Sequence, residues 1–365
     1  MNIINEIDRD SVIYIIGRAK QVTGGDELLH QLAHHLRVDL GHNVYIIYYP
    51  LDIENPVPPE YLEYNNPYTR EVIDDYKNII ICSEWARDLM IIKQFTKMRK
   101  IIYWLSVNNF VFSCLLHNPF LSLKKSLQLL PARLVNKLLK NLLGKNLIDI
   151  RELLFNSIRD RSYIMHALQK FGIYGAALHL CQSWYAMEFL NSLGIENCVY
   201  LSDYLNPTFL QQRIDFAKKE DIVVYNPKKG WSFTRKIIQA VPHIRFVPIE
   251  NLDRNGVIEL LKRAKIYIDF GDHPGKDRLP REAAILGCCV IVGRRGSACN
   301  RYDVPIPEKY KFAVAKDNIP QIASMLEYCL YYYKECYSDF DYYRAIIKRE
   351  PSVFLELLSL YFPRR

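Results

Sequence analysis

Between Asp269 and Ala298 the chain reads DFGDHPGKDRLPREAAILGCCVIVGRRGSA. Lys276, Asp277, Arg278, Arg281 and Glu282 crowd together directly after the apolar run Ala264–Phe270. Cations beside the N-terminus of a helix suit a phosphate, because the first N–H groups of a helix have no intrahelical acceptor. A carboxylate at the same place, Glu282, suits a sugar hydroxyl. His273 has a side chain that changes charge near neutral pH and is a candidate general base, with Asp272 and Asp277 beside it. The competing reading is a capped surface helix with solvated charges.

Three further loops carry related chemistry. Tyr225-Asn226-Pro227-Lys228-Lys229-Gly230 ends an apolar run, and Lys228, Lys229 and a glycine there suit a diphosphate. Arg294-Arg295-Gly296-Ser297 reads either as part of an anion nest or as a basic rim. Thr23-Gly24-Gly25-Asp26-Glu27 opens a helix, where Gly24 and Gly25 allow close backbone approach and Thr23 or Asp26 could cap. The G-x-G-x-x-G dinucleotide fingerprint and the G-x-S-x-G nucleophile elbow are both missing, which disfavours nicotinamide and serine-nucleophile chemistry. Asp339-Phe340-Asp341 matches the D-x-D of metal-dependent sugar transfer. It sits in a Tyr-rich helical tail and follows no strand, so it reads as a solvated or packing feature. His30 and His34 are spaced i,i+4 but lack a third ligand, and with His35 read as helix-surface histidines. No metal and no cofactor is expected.

These loops need elements to position them. Apolar runs at Ser11–Gly17, Val44–Tyr49, Asn78–Cys82, Lys100–Ser106, Ala177–Cys181 and Cys198–Leu201 read as buried strands, with amphipathic stretches between them. Asp221–Tyr225, His243–Val247, Lys265–Phe270 and Cys288–Val292 repeat the pattern, with a helix opening at Pro280. Strands alternating with helices predict an α/β fold, two doubly wound Rossmann-like domains facing a central cleft. The interruption around Asn206–Lys219 places the boundary. The expected domains are 1–210 with a basic insertion at about 115–175, then 211–336, then C-terminal helices at 337–365 that could pack back on the first domain.

The chain has 365 residues, half of them hydrophobic, enough for two cores. Its nine Cys show no metal-like spacing and read as reduced thiols of a cytoplasmic protein. No signal peptide is read at the N-terminus, and no apolar stretch is long enough to span a bilayer. Much of the net charge of +8 comes from Leu115–Ile148, which has no Asp or Glu. Within it, Ala132–Leu143 places Leu134, Val135, Leu138 and Leu139 on one stripe, with Lys137 and Lys140 facing away. It suits either an interfacial helix on anionic lipid or a helix packed on its own domain. Without aromatic interleaving, no nucleic-acid partner is expected.

The run GGDELLHQLAHHLRVDLGHNVYII resembles the amino-terminal pattern of GT-B glycosyltransferases. Lys228-Lys229-Gly230 and LPREAAILGCCVIV resemble the donor-side signatures of the glycosyltransferase 4-like group, and most of the chain is similar to a family associated with bacterial polysaccharide gene clusters. The resemblance implies that Lys228 or Lys229, with Lys276, Arg278 or Arg281, holds a donor diphosphate. It implies that Glu282 holds the donor ribose, and that Gly24 and Gly25 line the site from the first domain. Pro274 stands where the family carries another Glu, leaving Asp272 or Asp277 as a substitute. The implied activity is metal-independent transfer, retaining in outcome, from a nucleotide diphosphate sugar to a glycan or lipid-linked glycan at the inner face of the membrane. The alternatives are a degenerate glycan-binding or scaffold module, a glycerophosphotransferase and a sugar-nucleotide epimerase.

Overall fold

A computed structural model describes residues 7–116 and 161–365. The described residues form two compact units, one drawing on positions up to 116, 161–204 and 350–365, the other on 205–349. The basic stretch with Lys137 and Lys140 lies outside the described residues.

The first unit is built on six parallel strands: β1 (Val12–Arg18), β2 (Asn43–Tyr49), β3 (Ile79–Ser83), β4 (Arg99–Trp104), β5 (Leu178–Cys181) and β6 (Cys198–Tyr200), ordered β2-β1-β3-β4-β5-β6. Ile79, Ile80 and Ile81 are all buried because helices cover both faces of such a sheet, which is why its strands read as unbroken apolar runs. The helix Gly24–Val38 buries Leu28, Leu29, Leu32 and Leu36 against this core. From the far end of the sequence, Phe354, Leu358, Tyr361 and Phe362 enter the same core. Tyr361 also donates to the carbonyl of Tyr200 at 2.9 Å.

The second unit has five parallel strands: β7 (Glu220–Tyr225), β8 (Arg245–Pro248), β9 (Ala264–Asp269), β10 (Cys289–Gly293) and β11 (Lys311–Phe312). Their order is β11-β10-β9-β7-β8. Ile266, Ile268, Val290, Ile291 and Val292 are fully buried, each such aliphatic side chain stabilising the fold by about 1.5–3 kcal/mol. Lys219 enters from below. Its Nζ donates to the carbonyls of Leu261, Ala264 and Leu286 at 3.2, 2.7 and 2.9 Å, closing the C-terminal ends of the helices Arg254–Arg263 and Arg278–Ile285.

The division between the units falls at 204/205 and, within the tail, at 349/350. The helix expected to open at Pro280 begins at Arg278. Pro280 is tolerated in the first turn, where its missing N–H has no intrahelical acceptor to lose.

Candidate functional site

In the second unit β7, the first strand, sits between β8 and β9, so the chain leaves it in opposite directions on its two sides. The carboxyl ends of β7 and β9 therefore flank a topological switch point, where open α/β sheets bind ligands. The loop Asn226–Gly230 leaves β7 there, and Phe270–Asp277 leaves β9. The two loops touch at Gly230, which has φ +60°. A Cβ on it would lie 2.5 Å from the Gly271 nitrogen and 2.6 Å from the Phe270 carbonyl oxygen. Only glycine suits both the left-handed backbone and the close approach.

That contact brings Lys229 over the second loop. Its Nζ donates to Asp277 Oδ2 at 2.8 Å, and about a third of the side chain stays exposed. Asp277 stands at the N-cap of the helix Arg278–Ile285 but makes no side-chain cap bond; its carboxylate turns to Lys229 instead. His273 is fully buried between two acids, with Nδ1 3.2 Å from Asp277 Oδ2 and Nε2 3.8 Å from Asp269 Oδ1. Asp269, the last residue of β9, accepts from the Gly271 N–H at 2.9 Å and from the Tyr267 hydroxyl at 3.0 Å.

Burial opposes charge on all three central groups, and their neighbours outweigh it. Asp269 and Asp277 hold the His273 imidazole above its ordinary pKa. Asp277 and Asp269 likewise raise the Lys229 ammonium, and Lys229 with His273 hold the Asp277 carboxyl down at about 2. A carboxylate of so low a pKa is a weak base, and Asp277 and His273 face each other inside the cluster. Both are members of a fixed charge network.

The loop 271–277 is tied down from below. Ser297 N donates to the His273 carbonyl at 2.9 Å, and Ser297 Oγ donates to the Gly275 carbonyl at 2.6 Å. Gly296, at φ +51°, has the His273 carbonyl oxygen 2.0 Å from where a Cβ would stand. Arg294-Arg295-Gly296-Ser297 thus includes the support of the site loop; Arg294 itself donates to the Lys311 carbonyl at 3.1 Å. Arg281 is fully buried and donates to the carbonyls of Lys276 and Asp277 at 3.2 and 3.4 Å, so it clamps the loop. Lys276 is also buried, Lys228 is exposed, and Asp272, Arg278 and Glu282 are half-buried on or beside the first turns of the helix.

In the first unit, Gly24 and Gly25 open the helix Gly24–Val38 beyond β1. Thr23 is its cap, accepting from the Asp26 N–H at 3.2 Å, while Asp26 accepts from Arg18 Nε at 2.8 Å. Glu84, buried just beyond β3, accepts the Leu105 N–H at 2.9 Å, and burial pushes its carboxyl up to about 8. The expected surface position of His30 is wrong. It is buried, with Nδ1 2.7 Å from the Asp26 carbonyl and Nε2 2.7 Å from the Tyr48 hydroxyl. Asp339 and Asp341 serve packing: Asp339 accepts from Lys309 and Tyr310 at 2.7 and 2.6 Å, and Asp341 from Arg344 at 2.6 Å.

Sequence reasoning passed over Asp269. An acid ending a buried strand was the available signal for Asp269. It also found no metal-binding set, yet Asp269, His273 and Asp277 place ligand atoms within 4.8 Å of one another.

No protein-family model matches the chain, and no curated protein matches it. Solved structures do. Anabaena Alr3699/HepE in complex with UDP-glucose is 9% identical, with a TM-score of 0.59 over 95% of this chain and 98% of that one. The same protein with UDP and glucose gives 0.61 over 94% and 97%. Sucrose-phosphate synthase from Thermosynechococcus elongatus, 13% identical, gives 0.59 over 96% and 98%. The fold is thus the two-domain α/β fold of the GT-B type.

Proposed function

We propose that the chain is a glycosyltransferase that takes its sugar from a nucleoside diphosphate donor. The observation that carries this reading is the Lys229 ammonium, held at a glycine-lined switch point beside the N-terminus of the helix Arg278–Ile285. The structurally similar HepE was solved with UDP-glucose and with UDP, which supports a uridine donor. Lys229 and the first-turn N–H groups would draw the departing diphosphate by charge, and Glu282 on the second turn would accept from the ribose. Lys229 is pre-oriented by Asp277, so binding exchanges one anionic partner for another and leaves little side-chain freedom to lose. Gly24 and Gly25, opening a helix of the first unit, would allow a ligand close approach to the backbone there. Transfer would need no metal, since the cation at the switch point is a side chain, and a retaining outcome follows the family resemblance. The acceptor is a glycan or lipid-linked glycan, reached at an anionic membrane surface through Lys137 and Lys140. Among the described residues no helix is long and apolar enough to cross a membrane.

The test is a thermal-shift panel of UDP, ADP, GDP and their sugars. A base-selective rise with one nucleoside diphosphate is expected. If none raises the melting temperature at millimolar concentration, the reading fails.

A further inference from the structure

Among the described residues, one cluster combines a buried imidazole with two carboxylates: Asp269, His273 and Asp277. Its arrangement goes beyond an ion pair. His273 Nε2 lies 3.4 Å from the Asp269 carbonyl oxygen, and in the tautomer that donates there, Nδ1 is bare. Nδ1 makes no hydrogen bond although the side chain is fully buried, and it points at Asp277 Oδ2, 3.2 Å away. A backbone carbonyl on one ring nitrogen with the other left open is how proteins orient a metal-bound histidine. The Nδ1–Oδ2 spacing also matches the edge of a tetrahedron with bonds of about 2.0–2.1 Å, roughly 3.3 Å. Asp269 is oriented in turn by the Gly271 N–H and the Tyr267 hydroxyl.

One cation already stands here. Lys229 Nζ bonds Asp277, the very oxygen that faces Nδ1. Charge shows what could replace it. The Lys229 ammonium stands against the carboxylates of Asp269 and Asp277. A divalent ion on the bare Nδ1 takes the place of that ammonium once it has swung out. The Lys229 side chain is partly exposed and Asp277 is accessible at 19%, so the leaving ammonium and the entering ion both have a path. One nitrogen and two carboxylates suit zinc or cobalt better than calcium or magnesium.

We propose that Asp269, His273 and Asp277 form a transition-metal site that competes with the ammonium of Lys229, so that zinc-class ions bind this protein by expelling Lys229 from Asp277. The site needs no nucleotide, so its test is independent of the proposed transferase activity.

The probe is cobalt(II) alone, added to the metal-free full-length protein and followed by its visible absorption. Lys229→Ala is expected to bind cobalt at least tenfold more tightly than the wild type, with zinc bleaching the band. Adding His273→Gln to that variant should abolish the band. Should the buried replacement fail to fold, Asp277→Asn, at a partly exposed position, must weaken cobalt binding tenfold or more. Equal affinity in wild type and Lys229→Ala, an absent band, or a band indifferent to Asp277→Asn overturns the proposal.

Discussion

Replacing Gly230 with Ala tests the architecture of the switch point with one methyl group. The added Cβ would sit 2.5 Å from the Gly271 nitrogen and the Phe270 carbonyl carbon, roughly 1 Å inside ordinary contact. Both obstacles are backbone, so neither can rotate aside. The left-handed backbone at φ +60° adds about 1–2 kcal/mol for any residue with a Cβ. Overpacking adds about 1–3 kcal/mol. The sum, about 2–5 kcal/mol, corresponds to a fall in melting temperature of roughly 4–20 °C for a unit of this size. The two loops must also separate, and Lys229 rides on the one that moves, away from Asp277 on the other. Calorimetric titration with UDP should therefore show about a tenfold loss or more, since displacing the charge-assisted contact of Lys229 costs about 1.5–3 kcal/mol. A variant that melts with the wild type and binds UDP equally would show that the two loops do not meet as described.

Lys229→Ala and Glu282→Ala should each weaken nucleoside diphosphate binding by about 1.5–3 kcal/mol, tenfold or more, without unfolding the protein; unchanged calorimetric affinity in both would displace the proposed diphosphate and ribose contacts. Nucleotide binding by the wild type should survive EDTA, and loss restored by magnesium or manganese would contradict a side-chain cation at the switch point. Glu84 gives a pH signature. Its folded pKa, about 8, exceeds the ordinary 4.5, so in that window the folded state holds a proton that the unfolded state has released. Its contribution is thus most favourable below the lower value and declines as pH rises towards the upper one. Glu84→Gln should gain stability relative to wild type between pH 5 and pH 8.5 in urea titrations, and a pH-independent difference would refute the buried neutral carboxyl.

Much of the site was legible because its parts follow strands. The apolar runs of β7, β9 and β10 announce themselves, and the loops after them carry Lys229, His273 and Asp277 in plain view. What stayed hidden depends on partners distant in sequence. Asp277 looks like a helix cap until Lys229 arrives from 48 positions away. That Arg281 donates to the carbonyls of Lys276 and Asp277 could not be read from its residue type. His30 shares a helix with an apolar stripe, but only the pairing of β1 with β2 brings the Tyr48 hydroxyl to it. The two-residue β11 carries too little pattern to be read at all.

The division of the tail also orders events during synthesis. Residues 205–349 are all made before Phe354, Leu358, Tyr361 and Phe362, which the first core requires. The β1–β6 core is therefore completed by a segment made only after every residue of the unit that contains the switch point. Domains usually fold in the order of translation; here the amino-terminal half is the one that must wait.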